Sequence, residues 1–298
     1  MSKVAVIGIV GNSVFLPVEK FHVGGETVEA KSVHFELGGK GFNQAIAIAR
    51  SGVPVSFAGC IGQDGTDLAK TLNSANVDTS LVKTVSDKTG QAIIQVDDNG
   101  QNSILIFKGA NALVTTDYID TVLKNFDNGD FIIIQNEISN LLYLIKSAKE
   151  KGLNIILNPS PFDDTIKQID LSDLYCLILN EVEATQFFDT DTPTEFLDKV
   201  KKEYPNLKVM LTLGKKGCEY HYKDCIEKFG IFDVKVVDTT AAGDTFAGYF
   251  VSGIYNNNPI PDILRKASAA SSIAVSKKGA SSSIPTFVEV EEFLKSQN

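Results

Sequence analysis

Apolar residues fall into two patterns along this chain. Short apolar-rich runs recur at Val4 to Val10, Val53 to Ala58, Phe131 to Gln135, Ile155 to Leu157, Tyr175 to Leu179 and Lys208 to Leu213. Runs of this kind, bounded by turn residues, are strands buried on both faces, as in a parallel sheet covered by helices. Segments of helical character lie among them: the Ala/Ile run ending at Gly52, Asp67 to Asn73, Leu141 to Lys151, Glu181 to Phe188, Glu195 to Glu203, Gly243 to Tyr255, Ile263 to Val275 and Val288 to Ser296. The alternation predicts an α/β fold, a three-layer α/β/α domain over residues 1–298 with a central, mostly parallel sheet.

Two regions break the alternation. Residues 12–37 hold short extended pieces interrupted by Pro17 and Gly24-Gly25, and residues 89–109 hold two extended runs around Asp97-Asp98-Asn99-Gly100. Asn-Gly between such runs is a strong hairpin signal. The two regions are expected to pair into one small satellite sheet, of the sort that covers a site, although an edge extension of the main sheet would give the same local pattern.

Composition narrows the partners. With 28 Lys+Arg against 37 Asp+Glu, the net charge of −9 repels a polyanion, so nucleic acid is not expected. The apolar start after Lys3 is too short to span a membrane and reads as the buried first strand of a cytoplasmic protein. Cys60, Cys176, Cys218 and Cys225 form no C-x-x-C pair and are expected to be buried free thiols. His22, His34 and His221 are scattered, which argues against zinc and leaves a hard cation held by oxygen as the metal to expect.

In open parallel sheets ligands sit beyond the carboxyl ends of the strands. The polar stretches that follow the strands here are Gly11-Asn12-Ser13, Asn136-Glu137, Asn158-Pro159-Ser160-Pro161, Asn180 to Glu183, Thr212 to Gly217 and Asp238 to Phe246. In the last, Asp238-Thr239-Thr240-Ala241-Ala242-Gly243-Asp244 joins an extended segment to a helix, placing free backbone N–H groups, the positive end of the helix dipole and one carboxylate at a single point. Such a point can hold a phosphoryl group beside a base, yet it is also how any helix with an acidic first turn begins. Gly39-Lys40 is followed by Gly41 rather than Ser or Thr, so it is no P-loop, and Gly8 to Ser13 lacks the dinucleotide fingerprint.

The order of Gly38-Gly39-Lys40-Gly41-Phe42-Asn43-Gln44-Ala45, Asn158-Pro159-Ser160-Pro161, Asn180-Glu181-Val182-Glu183, Thr212 to Gly217, Asp238 to Phe246 and Lys278-Gly279-Ala280 resembles the ribokinase-like, PfkB-type family of sugar kinases over essentially the whole chain. The resemblance implies ATP-dependent phosphoryl transfer to a hydroxymethyl group of a pentose or similar small sugar. It makes Asp244 the catalytic base and Ala241, Ala242 and Gly243 the anion hole. It places the sugar against Gly11, Ser13, Gly39, Lys40, Asn43, Glu137 and Asp244. ATP falls across Asn180, Thr212, Leu213, Gly214, Lys215, Lys216, Gly217, Gly243 and Ser268. Magnesium is expected on ATP, with Glu183 acting through water, and potassium at Asp238, Thr240, Ala274, Lys277, Gly279 and Ser283. The satellite sheet becomes a lid, with Ile104 and Ile106 on its inner face, through which a homodimer forms.

One departure concerns the acceptor. Ribokinases carry Asn-x-Asp after the first strand to grip sugar hydroxyls, and here Gly11 and Ser13 stand in those places. A substrate hydroxyl left without its partner costs about 1–3 kcal/mol, so ribose is not the default acceptor. Two rival readings share the fold. A nucleoside kinase needs a base pocket, for which the candidate lid aromatics are Phe15, Phe35 and Phe107. A catalytically silent sugar sensor needs no base at Asp244.

Overall fold

The computed structural model describes residues 2–297. The first apolar run, Val4–Ile7, is strand β1, and its alternate side chains enter different cores: Val4 and Val6 one, Ala5 and Ile7 the other. β2 (Gly11–Pro17) and β3 (His34–Gly38) follow, then α1 (Lys40–Arg50), β4 (Val55–Ile61), α2 (Thr66–Ser74) and β5 (Val77–Thr84). Next come β6 (Gly90–Val96), β7 (Asn102–Phe107), α3 (Thr116–Leu123), β8 (Phe131–Gln135), α4 (Leu141–Glu150) and β9 (Asn154–Asn158). The remainder is β10 (Cys176–Asn180), α5 (Glu181–Phe187), α6 (Pro193–Glu203), β11 (Lys208–Thr212), β12 (Cys218–Tyr222), β13 (Cys225–Phe229), α7 (Ala242–Tyr255), α8 (Ile260–Val275) and α9 (Phe287–Ser296).

Nine strands form the main sheet in the order β13-β12-β11-β10-β9-β8-β1-β4-β5. All neighbours are parallel except β11 with β12 and β12 with β13. The chain steps outward from β1 to β4 and β5, then returns to β8 on the other side of β1 and steps outward again. Strand order therefore reverses between β1 and β8, and a crevice opens there beyond the strand ends. One core holds Phe42 of α1, Leu68 of α2, Phe250 of α7, Leu264 of α8 and Val290 of α9. The opposite core holds Ile119, Leu144, Ala184 and Phe196 from α3 to α6.

The second sheet has four strands in the order β3-β2-β6-β7 and is separate from the main sheet. Its period of two sorts side chains cleanly. Ser13, Ala92 and Ile106 lie in register across β2, β6 and β7, as do Phe15, Ile94 and Ile104. The intervening row, Phe35–Val14–Ile93–Leu105, crosses all four strands on the other face.

The structure adds β5, α3 and the β12–β13 hairpin to the elements read from the sequence. Cys225 is exposed, not buried as expected, because it opens β13, the edge strand of the main sheet; the other three cysteines are buried. Burial pushes the Cys60 and Cys218 thiols up to about 11 and Cys176 up to about 12, so none is a ready nucleophile. Among the described residues, no helix is long and apolar enough to cross a membrane.

Candidate active site

Helix α7 begins where the chain is most constrained. Ala241 precedes it in a left-handed conformation (φ 58°) and no side chain caps its end. That conformation costs a residue bearing a Cβ roughly 1–2 kcal/mol, and it turns the first backbone N–H groups of α7 toward the crevice. The Ala242 N–H makes only a long turn bond to the Thr239 carbonyl (3.3 Å). A Cβ added at Gly243 would meet no protein atom within 4 Å, so protein packing does not demand glycine there; the space lies open to a ligand. Asp244 is buried in the first turn of α7, its Oδ2 accepting from Asn43 Nδ2 and its Oδ1 from Gln44 Nε2, both at 3.0 Å.

Two cavities meet at this carboxylate. The first, about 270 Å³, lies between the crevice and the small sheet; Gly11, Ser13, Gly39, Asn43, Glu137, Ile94, Ile104 and Ile106 line it. The second, about 220 Å³, runs over the ends of β9 to β11 and is lined by Asn158, Asn180, Glu183, Thr212, Ala242 and Gly243. Lys40, Ala241 and Asp244 belong to both walls. A further cavity of about 300 Å³ beside α6, lined by Tyr204, Glu219 and His221 among others, shares no residue with either.

The electrostatics of the junction follow from its burial. Desolvation opposes the Lys40 charge, but the Asp244, Glu137 and Glu183 carboxylates outweigh it, and the pKa lies above the ordinary lysine value. Glu137 is pushed up to about 7 by burial first; Lys40 opposes that shift and Asp244 adds to it. Glu137 Oε2 and Asn43 Oδ1 are buried without a hydrogen-bond partner. Unmet acceptors in a cavity wall suit a ligand rich in hydroxyl donors.

In the wall of the second cavity, Asn180 and Glu183 form a capping box. Asn180 Oδ1 accepts from the Val182 and Glu183 N–H groups (2.9 Å each), and Glu183 Oε2 accepts from Asn180 N (3.0 Å). Near the start of α7, Asp238 Oδ1 accepts from Thr240 N and Oγ1, and its Oδ2 accepts from Gly279 N at 3.1 Å. Burial works against the Asp238 charge, but these hydrogen bonds hold its pKa below the ordinary carboxylate value. Val237 and Asp238 also donate to the Val275 carbonyl, which joins this stretch to the loop carrying Lys277, Gly279 and Ser283 and to Ala274 at the end of α8. Ser283 is buried with its hydroxyl on the Ala280 carbonyl, and Lys277 pairs with Glu289 (2.8 Å).

Not every expected residue reaches the cavities. Ser268 is turned into the core from α8, its Oγ 3.9 Å from Cys218 Sγ, because β12 packs over that face. From the Thr212–Gly217 stretch, Thr212 lines the second cavity, whereas Gly214–Lys216 is a 3-10 turn with Lys215 and Lys216 exposed. Residues the sequence did not mark also take part. Asn111 lines the first cavity and pairs with both backbone groups of Val10 (2.9 and 3.3 Å), and Gln44 holds Asp244. Asn111 carries no sequence signal, since an isolated amide beside small or apolar residues is commonly a turn or core group, and Gln44 stands inside the Gly38–Ala45 stretch without a role of its own to single it out.

Comparison with known proteins bears on this geometry. A family model described as pfkB family carbohydrate kinase matches residues 1–287. A ribokinase of Staphylococcus aureus is 34% identical, the match covering 98% of this chain and 99% of the relative. A ribokinase from Cryptococcus neoformans, solved in complex with ADP, superposes with a TM-score of 0.89 at 30% identity, covering 98% of each chain. The Arabidopsis thaliana ribokinase complexed with ribose and ATP gives 0.86 at 29% identity, covering 99% of each. The chain belongs to the pfkB family of carbohydrate kinases and is an ATP-dependent phosphotransferase acting on a sugar hydroxyl.

Proposed function

We propose that the cavity under the small sheet takes the sugar, that the cavity over β9 to β11 takes the phosphates of ATP, and that Asp244 at their junction is the base. The observation carrying this reading is the shared wall of Lys40, Ala241 and Asp244. Asp244 accepts the proton of a sugar hydroxyl; the sugar oxygen forms its bond to the γ-phosphorus as the bond from that phosphorus to the β-phosphate oxygen breaks, and ADP leaves with the electron pair. The N–H groups of Ala241, Ala242 and Gly243 meet the charge on the transferred phosphoryl, Ala242 exchanging its long bond to Thr239 for the ligand. Lys40, charged and half-buried among carboxylates, bridges the two substrates.

Among the described residues, no three or more His, Cys, Asp or Glu side chains gather to hold a metal. Glu183, with one oxygen committed to its capping box, suits a magnesium ion carried on phosphate oxygens and contacted through water. Bound magnesium would offset phosphate charge. Asp238, with the carbonyl-bearing positions Thr240, Ala274, Lys277, Gly279 and Ser283, is an oxygen donor set with a single carboxylate, which suits a monovalent cation such as potassium.

The acceptor is a pentose-type sugar with fewer hydroxyls toward β2 than ribose. A Cβ at Gly11 would stand 2.7 Å from the Gly90 carbonyl, so the β2–β6 pairing leaves no room for a side chain there. Ile94, Ile104 and Ile106 give the small sheet an apolar inner face, and that sheet acts as a lid excluding water. The partner is a second copy of this chain, docked through the row Phe35–Val14–Ile93–Leu105, whose ends are 74% and 68% exposed. ADP release measured over a panel of ribose, deoxypentoses, hexoses and nucleosides tests the reading. Turnover with a deoxypentose above ribose, lost by several orders of magnitude in Asp244→Asn, is expected. Near-wild-type turnover in that variant, or preference for nucleosides, would overturn it.

A further inference from the structure

One of the two side chains that hold Asp244, Gln44, belongs to neither cavity wall. Gln44 Nε2 donates to Asp244 Oδ1 (3.0 Å) and to Asn158 Oδ1 (3.1 Å), while Gln44 Oε1 accepts from Gln135 Nε2 (2.7 Å). Asn158 Nδ2 donates to the Ile178 carbonyl (2.9 Å). A backbone carbonyl only accepts, so Ile178 dictates which way the Asn158 amide faces. Asn158 must then present its oxygen to Gln44, Gln44 must present its NH2 group to Asn158 and Asp244, and its own oxygen is left for Gln135. Turning over any one amide would set oxygen against oxygen. Gln44 is 1% exposed, and both its N–H bonds and its carbonyl are used.

Gln135 is a costly member of this chain. It is 0% exposed, and its Oε1 has no hydrogen-bond partner, a loss of about 1–3 kcal/mol for a buried acceptor. Room for it is made by two glycines. A Cβ at Gly41 would lie 3.0 Å from Gln135 Oε1 and 2.9 Å from the Gly8 Cα, and a Cβ at Gly8 would strike Gln135 Oε1. A leucine would fill this interior but leave Gln44 Oε1 without a donor; what only the amide supplies is the hydrogen bond that fixes Gln44.

We propose that Gln44, locked by Gln135 and Asn158, is the positioning residue for the catalytic base. With Gln44 on Oδ1 and Asn43 on Oδ2, the Asp244 carboxylate cannot rotate, and the lone pairs left to take the hydroxyl proton face the cavities. The proposal rests on Asp244 being the base.

The experiment compares Gln44→Leu, Gln135→Leu, the double variant and Asp244→Asn in steady-state kinetics with ATP and the preferred sugar, alongside thermal melting. Gln44→Leu is expected to lower kcat about 100-fold and Gln135→Leu about tenfold, with both KM values within about twofold of wild type. Gln135→Leu is expected to melt near or somewhat below wild type, since it removes the unmet Gln135 Oε1 but leaves the buried Gln44 Oε1 without its donor. Should it not fold, the unbranched Gln135→Met takes its place with the same expected kinetics. In the Gln44→Leu background, Gln135→Leu should change kcat by less than about twofold, because Gln135 acts through Gln44. Additive losses in the double variant, or wild-type kcat in both single variants while Asp244→Asn is inactive, would overturn the positioning role alone. Turnover retained in Asp244→Asn would overturn the base assignment beneath it.

Discussion

Glu137 is the residue whose chemistry most exceeds its sequence mark. Buried beside Lys40 and Asp244, its carboxyl is pushed up to about 7 from an ordinary 4.5. Between these values the folded protein holds a proton that the unfolded chain has released, so folding stability falls as pH rises from about 4.5 to about 7 and levels off above that. Glu137→Gln should remove this slope, seen as urea midpoints that no longer decline across the window, and should flatten any break near neutral pH in kcat/KM for the sugar. A slope unchanged in the variant would assign it elsewhere. Asp244, Lys40, Asn43, Glu137 and Glu183 were legible because each stands in a short stretch of unusual composition after a strand or before a helix. Ser268 was not, because the side of α8 it occupies is set by β12, a strand the sequence did not reveal. Gln44 is not singled out by the sequence because an amide at the start of an Ala/Ile helix looks the same whether it faces a core or a buried carboxylate.

At the scale of elements, the start of α7 shows function and stability pulling apart. Gly243 is a glycine inside a helix, where alanine is favoured by about 1 kcal/mol, and an added Cβ there would touch no protein atom. Gly243→Ala should therefore raise the melting temperature while lowering kcat at least about tenfold, because the methyl group occupies the space proposed for the transferred phosphoryl. Unchanged kcat would move the phosphoryl away from this helix end. The buried parallel strands were read from composition, since β1, β8, β9 and β10 are apolar nearly throughout. The β12–β13 hairpin escaped because its turn is Lys223-Asp224, with Lys223 at φ 54° where glycine or asparagine would signal a turn, and because its strands mix His, Lys and Glu with aromatics. The Asn99-Gly100 hairpin was recognised, yet it closes over residues 97–101 with the Asp97 side chain accepting from Asn99 and Gln101 N–H groups (2.9 Å each), a longer loop than the dipeptide suggests.

At the scale of the whole molecule, the outer face of the small sheet is the surface proposed to dock a second copy of the chain. Leu105→Asp places a charge at one end of the exposed row Phe35–Val14–Ile93–Leu105, and sedimentation is expected to show a dimer for the wild type and a monomer for the variant. A wild-type monomer, or a variant dimer of equal affinity, would refute the docking surface.

The bond between Asn43 and Asp244 joins positions 201 apart in the chain, and the one between Gln44 and Asp244 positions 200 apart. During synthesis Asn43 and Gln44 emerge long before the Asp244 carboxylate they hold, and the sheet can begin to pair before α7 exists. Closing so long a loop is entropically expensive and slow. Assembly of the proposed active site is thus a late event of folding: in a refolding experiment, recovery of far-ultraviolet ellipticity should precede recovery of ADP release, and the lag between them is expected to reflect the docking of α7 against α1.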